Sequence, residues 1–309
     1  MTPVAGALVP LAILIALGFA LRRGAFLPEP SWPSLDRLNY WVLFPALIFV
    51  SLATAGRGLE NGSAVAFVVW GALLLVSAAT LLVRRGLGTD GPGFTSVYQG
   101  AVRFNSYVAL GALPVLFPGS EGLTALIVAV TVPVVNVTCV LVLARFAGRT
   151  PLRGRPLLRS VTSNPLIIAS LLGAAVQALA WPLGPLEGAL RTLGAASLAC
   201  GLLSVGATLR FDHVRRGWRP IAASTALKFV ALPAATWLIA AWFGLPPSLL
   251  APLVVFQALP TASASFVLAR AMGGDEKLMA AILAVQTVVA MAWLPWAYAW
   301  TRTWDLTLP

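Results

Sequence analysis

The chain has 309 residues, of which 59% are hydrophobic and only 10% charged, and its mean hydropathy is +0.88. A soluble domain carries about 25% charged residues, so this composition argues against a soluble protein and predicts a membrane protein. The net charge of +11 resides mainly at the junctions between apolar stretches, which is a pattern of membrane topology rather than of nucleic-acid binding.

The apolar stretches long enough to cross a bilayer, at about 20 residues each, number ten in chain order. Proline, glycine and aspartate cluster in the turns between them, as at 27–30, 88–92 and 273–275. The sequence therefore predicts an all-α integral membrane protein of ten transmembrane helices. The predicted spans are 3–21, 35–54, 63–83, 94–117, 122–144, 161–180, 188–209, 220–243, 248–270 and 278–300.

Most of the 21 lysines and arginines lie at the junctions that follow spans one, three, five, seven and nine. Cytoplasmic loops carry such an excess of positive charge, so these loops are predicted to face the cytoplasm and both termini to lie outside. Residues 3–21 are interpreted as a retained span, because no basic segment precedes them as in a cleaved signal. The prediction is a multi-pass protein of the cytoplasmic membrane.

The side chains that could hold a metal are few and scattered. His213 is the single histidine and lies in a basic loop, so no cluster of imidazoles is available. Cys139 and Cys200 both lie inside apolar stretches, where small packing residues are a better interpretation than a disulfide or a metal site. The sequence therefore predicts neither a metal centre nor a cofactor.

The sequence matches itself when it is shifted by 155 residues, close to half its length. Residues 10–18 align with 165–173, and residues 113–130 align with 268–285. Chance similarity between two apolar, low-complexity segments is the alternative interpretation. A single constant shift that aligns several separate places favours an internal repeat.

The shift divides the chain into a first repeat, 1–150, and a second repeat, 151–309, joined by a short cytoplasmic linker at about 146–160. Each repeat contains five predicted spans. Because five is an odd number, the second repeat enters the membrane inverted relative to the first. Inverted repeats are the architecture of alternating-access transporters, so the pattern predicts a secondary transporter within one membrane domain.

Two basic residues lie deep inside predicted spans, Arg103 in span four and Lys228 in span eight, whereas every Asp and Glu lies at or beyond a span end. A charge in the bilayer core is costly and tends to mark function. A basic interior without carboxylates favours an anionic substrate. Snorkelling, or bonding to backbone carbonyls, is the alternative for both side chains.

Spans four and nine are both interrupted by polar residues and proline. At the shift of 155 residues, Asn105 falls opposite Pro260 and Ser106 opposite Thr261. Proline removes an amide donor, and such irregular backbone is tolerated at membrane depth only where it is buried or lines a cavity. Matched interruptions in two halves of a chain indicate a transporter's binding site, and two ordinary proline kinks are the alternative.

The predicted substrate-binding residues belong to these interruptions and to their polar neighbours. Half-helix N-termini at the interruptions offer N–H groups and positive dipole ends to an anion. Asn136 is harder to satisfy within its own helix than a serine or threonine, which ranks it above Ser51. The full set is Ser51, Arg103, Asn105, Ser106, Pro114, Asn136, Lys228, Gln257, Pro260, Thr261 and Ser263.

Several stretches resemble, in order along the chain, the auxin efflux carrier family, the bacterial relatives of the plant PIN carriers. The matching stretches are 38–49, 103–114, 163–166, 227–233 and 258–275. The resemblance implies ten helices in two inverted five-helix repeats, with a scaffold part and a transport part that meet where broken helices four and nine cross. It also implies transport of an organic anion, such as an auxin-like carboxylate or a dicarboxylate, bound beside that crossing.

Other functions stay open at this point. A passive channel or a membrane receptor for a small solute is the alternative to a transporter. An intramembrane enzyme is disfavoured, because His213 lies in a loop and the one adjacent acidic pair, Asp275-Glu276, flanks another. The sequence leaves open the substrate, the direction of transport, the coupling ion and the oligomeric state, for which a homodimer is one candidate.

Overall fold

The computed structural model describes residues 3–54, 62–147, 165–215 and 217–304. Every regular element in those ranges is helical, so the all-α prediction is confirmed there, and most of the predicted linker at 146–160 lies outside them. The α-helices are α1 (Pro3–Arg23), α2 (Ser31–Leu38), α3 (Phe44–Ala53), α4 (Gly62–Val83), α5 (Gly91–Val102), α6 (Ser106–Leu116), α7 (Glu121–Phe146), α8 (Pro165–Ala178), α9 (Pro185–Thr208), α10 (Trp218–Ala226), α11 (Leu232–Trp242), α12 (Pro247–Gln257), α13 (Ser263–Met272) and α14 (Glu276–Arg302).

Several helical segments of the described ranges are long and apolar enough to cross a membrane, as a multi-pass membrane protein requires. Three apolar helices, α8, α12 and α13, are shorter, and the predicted spans four and nine each consist of two helices, α5 with α6 and α12 with α13. The seven long segments are Val4–Arg23, Ser31–Ala53, Gly62–Gly86, Glu121–Phe146, Pro185–Thr208, Trp218–Trp242 and Glu276–Arg302.

Two of the long segments contain a π-helical turn, in which a backbone N–H bonds to the carbonyl five residues earlier. The turns are Asn39–Leu43 and Leu227–Ala231, and a proline follows each of them by two residues. Proline cannot donate a backbone hydrogen bond and its ring crowds the preceding turn, so a wider turn accommodates it. Each π turn buries one polar side chain, Asn39 in the first and Lys228 in the second.

Packing divides the chain into two compact units, of which the first brings α1 and α9 into close contact. An added methyl group at Gly18 would clash with the backbone of Leu203, and one at Gly206 would clash with the backbone of Ile15. Small residues let membrane helices approach closely enough for van der Waals packing to hold them. The first unit consists of Met1–Ser63, Tyr107–Pro133 and Gly154–Ala207.

We expect Gly18→Ala to lower the free energy of unfolding by about 1–3 kcal/mol, because its methyl group would overpack a backbone contact that cannot shift easily. Gly6→Ala is the matched control on the same helix, since nothing lies within 4 Å of the position its methyl group would take. Thermal unfolding of the two purified variants in detergent checks this. Equal unfolding temperatures would contradict the close approach of α1 and α9.

Polar pairs also join α9 to the α2–α3 segment within the first unit. Ser197 Oγ donates to Asn39 Oδ1 at 2.6 Å, and Asn39 Nδ2 donates to the Ser197 carbonyl at 3.2 Å. The Ser204 hydroxyl donates to the carboxylate of Asp36. Hydrogen bonds between membrane helices stabilise their association modestly and fix their register.

The expectation that every acidic residue lies at or beyond a span end is wrong for Asp36. Helix α2 begins at Ser31, so Asp36 lies in its second turn, inside a segment long enough to cross the membrane. The helix begins before the apolar run because Pro33 falls in its first turn, where the missing proline N–H has no helical partner to lose.

The second unit is built around α5. Every residue of this helix from Gly93 to Val102 is buried, and α10, α13 and α14 pack against it. Gly100 permits this packing, because an added methyl group there would clash with Ser224 of α10 and Ile282 of α14. The polar end of α5 is thereby held inside the unit, which consists of Ala64–Ser106, Val134–Arg153 and Thr208–Pro309.

Candidate functional site

The two interrupted segments meet in the second unit. Helix α5 ends at Val102, Arg103 is extended with φ −77° and ψ 155°, and α6 begins at Ser106. Residues 258–262 separate α12 from α13. The backbone N–H of Asn105 donates to the carbonyl of Pro260 at 2.8 Å. This hydrogen bond satisfies one backbone group in each of the two irregular segments. Residues 103–105 and 258–262 are called the crossing below.

Gln286 of α14 holds Thr261 of the crossing and the end of α5 that leads into it. Its Oε1 accepts a hydrogen bond from the Thr261 N–H at 3.0 Å, and its Nε2 donates to the Gly100 carbonyl at 3.0 Å. The same Nε2 lies 3.4 Å from the hydroxyl of Ser224, which donates to the Val97 carbonyl at 3.1 Å. One buried amide therefore ties α5, α10 and the second interruption to α14.

We expect Gln286→Leu to lower the free energy of unfolding by about 2 kcal/mol or more, because it leaves the Thr261 N–H and the Gly100 carbonyl buried without a partner. Thr287→Val is the control on the next residue, since the Thr287 hydroxyl bonds only to the Leu283 carbonyl of its own helix in the described structure. Denaturant or thermal unfolding in detergent compares them. A Gln286→Leu protein as stable as Thr287→Val would argue against this bracing role.

Arg103 is held at the crossing by a side chain of α7. It is 8% exposed, and its Nη2 donates to Asn136 Oδ1 of α7 at 2.8 Å. Its Nη1 is buried and has no hydrogen-bond partner among the described residues. The pairing brings together two residues that the sequence places in different spans, and it leaves one face of the guanidinium able to bind an anion.

Further polar side chains of the second unit lack hydrogen-bond partners among the described residues, and three of them are fully buried. Gln99, Gln257 and Lys228 are each 0% exposed, and within the ranges the structure covers neither glutamine amide nor the Lys228 Nζ makes a hydrogen bond. A buried donor or acceptor left unpaired costs about 1–3 kcal/mol, and a charged group costs more. The π turn that carries Lys228 packs against α5, one helical turn beyond Ser224.

The N-terminus of α13 adds backbone donors at the second interruption. Ala262 is its N-cap, and no side chain caps it. An α-helix cannot satisfy its first N–H groups internally, which here include those of half-buried Ser263 and of Ala264. Thr261 and Ser265 hydroxyls lie 3.0 Å apart beside them. A helix start of this kind attracts negative charge.

The carboxylates of the second unit, as far as the structure describes it, lie at helix ends and in turns. Asp90 accepts from the Gly93 N–H at 2.8 Å, and Asp275 accepts from the Leu278 N–H at 3.0 Å, so both are N-caps. Glu276 lies 3.6 Å from Arg270, and Asp212 is exposed before α10. None of the four pairs with Arg103 or Lys228.

The other predicted residues fall in two places. Ser106 is the half-buried first residue of α6 and belongs to the second unit with Asn105. Ser51 on α3 and Pro114 in α6 are half-buried residues of the first unit. The second unit thus contains nine of the predicted residues, and the interactions described above connect Arg103 with Asn136, and Asn105 with Pro260.

Gln286, Ser224 and Gln99 were missing from the predicted set. Gln99 precedes Arg103 by one turn, and Gln286 lies in an otherwise apolar stretch with no proline beside it. The sequence signal that points to the glutamines is the free-energy cost of placing an amide in the bilayer core. That cost is the same for a lone glutamine as for one in a polar cluster, so it points to Gln286 as much as to the clustered residues.

A comparison with protein families gives a match. Residues 149–298 match the profile of a protein family described as membrane transport protein. The match covers about half of the chain and includes Lys228, the second interruption and Gln286. No curated protein matches the chain.

Proposed function

The chain belongs to the auxin efflux carrier family of membrane transport proteins, and on that premise we propose that it is a secondary transporter of a small organic anion. The substrate class is a carboxylate, and the mechanism is alternating access across the cytoplasmic membrane. The proposed fold is ten transmembrane helices in two inverted five-helix repeats, 1–150 and 151–309, with both termini outside.

The observation that best supports an anionic substrate is an excess of buried, unpaired hydrogen-bond donors over acceptors among the described residues of the second unit. Arg103 and Lys228 are buried basic side chains without a carboxylate partner in the described chain. The amides of Gln99 and Gln257 leave both an N–H group and an oxygen unpaired, so the surplus of donors comes from the two basic side chains. A small carboxylate supplies two acceptor oxygens and one negative charge. Charge-assisted hydrogen bonds to it are roughly twice as strong as neutral ones.

The hydrogen bond between Asn105 and Pro260 supports the inverted repeat. These two residues correspond at the shift of 155 residues, and their backbones are in direct contact at 2.8 Å. Equivalent positions of two copies meet when they lie close to the pseudo-two-fold axis that relates the copies. Transporters built this way bind their substrates near that axis, at discontinuous helices.

The proposed binding residues are those at and around the crossing in the second unit. The donors for the carboxylate are the Arg103 guanidinium, the Lys228 ammonium and the first N–H groups of α13. Asn136 orients Arg103, and Gln286 fixes the backbone of Thr261. The remaining members of the proposed set are Asn105, Ser106, Gln257, Pro260 and Ser263, while Ser51 and Pro114 stay predictions from the sequence.

Ligand-induced stabilisation of the purified protein tests the site. A carboxylate present at about 100 times its dissociation constant is expected to stabilise the folded state by about 2.7 kcal/mol, which raises the unfolding temperature by several degrees. A panel of malate, malonate, succinate and indole-3-acetate is compared with neutral analogues of similar size. Stabilisation by the neutral analogues alone would contradict an anion site.

A further inference from the structure

An open apolar groove lies in the second unit between α14 and the segment formed by α10 and its π turn. Its volume is about 500 Å³. The groove has two walls, one from each helical segment, and each wall is a row of residues spaced four apart. Residues at this spacing share one face of a helix, so the groove runs parallel to the helix axes. The residues that define it are Ala222, Ala226 and Val230 on one wall and Val285, Val289 and Trp293 on the other.

One end of this groove is basic. This end is lined by Val214 and by Trp218, the first residue of α10, which is 61% exposed. The Arg219 guanidinium lies over the Trp218 ring at 5.4 Å from its centroid, and Arg210 and Arg215 are exposed in the segment before α10. Within the described chain, none of these three arginines forms a salt bridge.

We propose that the groove binds an anionic phospholipid, with one acyl chain along the apolar groove and the phosphate on Arg215 and Arg219. The groove suits hydrocarbon, and basic pockets at the end of membrane helices bind anionic headgroups. Tryptophan at the start of a membrane helix marks the headgroup level, so Trp218 places the guanidiniums at the depth of a phosphate. Asp212 and His213 lie in the same segment, and the three arginines outweigh the single acid.

The helices that form the groove also hold the crossing in place. Thr225 and Val285 line it, and the residues next to them, Ser224 and Gln286, lie 3.4 Å apart at their polar atoms on the inner side. A bound acyl chain therefore packs against the outer faces of α14, whose Gln286 holds Thr261, and of α10, whose Ser224 contacts Gln286. We expect faster transport in anionic lipid. This expectation depends on the proposed transport function, whereas lipid binding does not.

The test measures lipid binding by the purified full chain, delipidated and mixed with equal amounts of phosphatidylglycerol and phosphatidylcholine. Native mass spectrometry counts the bound lipids. We expect a preference for phosphatidylglycerol of about fivefold for each arginine engaged, reduced to near equality in Arg215→Gln/Arg219→Gln. Ala226→Phe fills the groove and is expected to reduce binding of both lipids. Arg23→Gln/Arg85→Gln removes the same charge at other junctions and should keep the preference.

Equal binding of the two lipids by the unaltered protein would overturn the proposal, as would an unchanged preference in Arg215→Gln/Arg219→Gln. A protein dimer that Ala226→Phe dissociates would assign the groove to a second copy instead. Only variants with the unaltered protein's unfolding temperature are compared, and Ala222→Leu replaces Ala226→Phe if the larger side chain prevents folding. Retained lipid preference without any anion transport would leave the lipid site standing and remove the transport proposal.

Discussion

Replacing Lys228 by methionine is expected to abolish anion transport while leaving the protein as stable as before or more stable. An ammonium and a carboxylate 4 Å apart attract by about 4 kcal/mol at an effective dielectric constant of 20. Loss of the ammonium should therefore reduce transport at least about 100-fold. Lys228 has no partner in the described chain, and removing an unpaired buried charge relieves its desolvation cost.

Lower transport together with unchanged or higher stability distinguishes a role in substrate binding from a role in holding the fold. If the Lys228 ammonium held the fold together, Lys228→Met would lower the unfolding temperature together with activity. Lys277→Met is the matched control, because Lys277 is exposed at the start of α14 and its loss should change neither quantity. Transport in proteoliposomes and thermal unfolding in detergent give both readouts. Normal transport by Lys228→Met would remove this residue from the site.

Asn105→Ala is expected to reduce anion transport by about 10- to 100-fold, which corresponds to the loss of one hydrogen bond to a charged group. The backbone N–H that donates to Pro260 is retained in this variant, so the crossing itself survives. Asn105 is 1% exposed and follows Arg103, one of the donors assigned to the substrate, by two residues in the crossing. Initial rates of uptake across a substrate series separate the apparent affinity from the maximal rate.

Asn105→Asp sharpens this test because it keeps the size and shape of the side chain and replaces its N–H donor with a negative charge. A carboxylate at this position repels an anionic substrate, so Asn105→Asp should transport no better than Asn105→Ala at neutral pH. Lower pH protonates the new carboxyl group and should restore part of the activity. An Asn105→Asp protein as active as the unaltered one would show that the position does not face an anion.

The helices were predictable because the bilayer imposes their length and apolar composition. The interruptions were predictable for a different reason: a polar cluster with proline is costly in lipid unless the backbone it frees is satisfied. Residues 103–105 and 258–262 fulfil that expectation, and the bond between Asn105 and Pro260 connects two segments that the sequence matched only by a constant shift. The resemblance to auxin efflux carriers is confirmed by the family match.

The partnerships of single side chains were not predictable. Gln286 is one amide in a long apolar stretch, and only the packing of α5, α10 and α14 shows that it satisfies Thr261 and Gly100. The π turn at Lys228 likewise depends on a proline two residues further on, and prolines occur in many of the predicted spans. Asp36 was misplaced because the start of α2 is set by helix-start chemistry around Pro33 rather than by hydrophobicity.

Charge movement across proteoliposomes that contain the purified protein tests the central claim most directly. The membranes are challenged with malate, malonate, succinate, indole-3-acetate and neutral controls, with Asn105→Ala and Lys228→Met measured alongside. The proposed function predicts a saturable current for at least one carboxylate, absent with the neutral solutes and lost in both variants. Silence for every anion, with flux of a neutral or cationic solute instead, would contradict an anion carrier and make the buried cations structural.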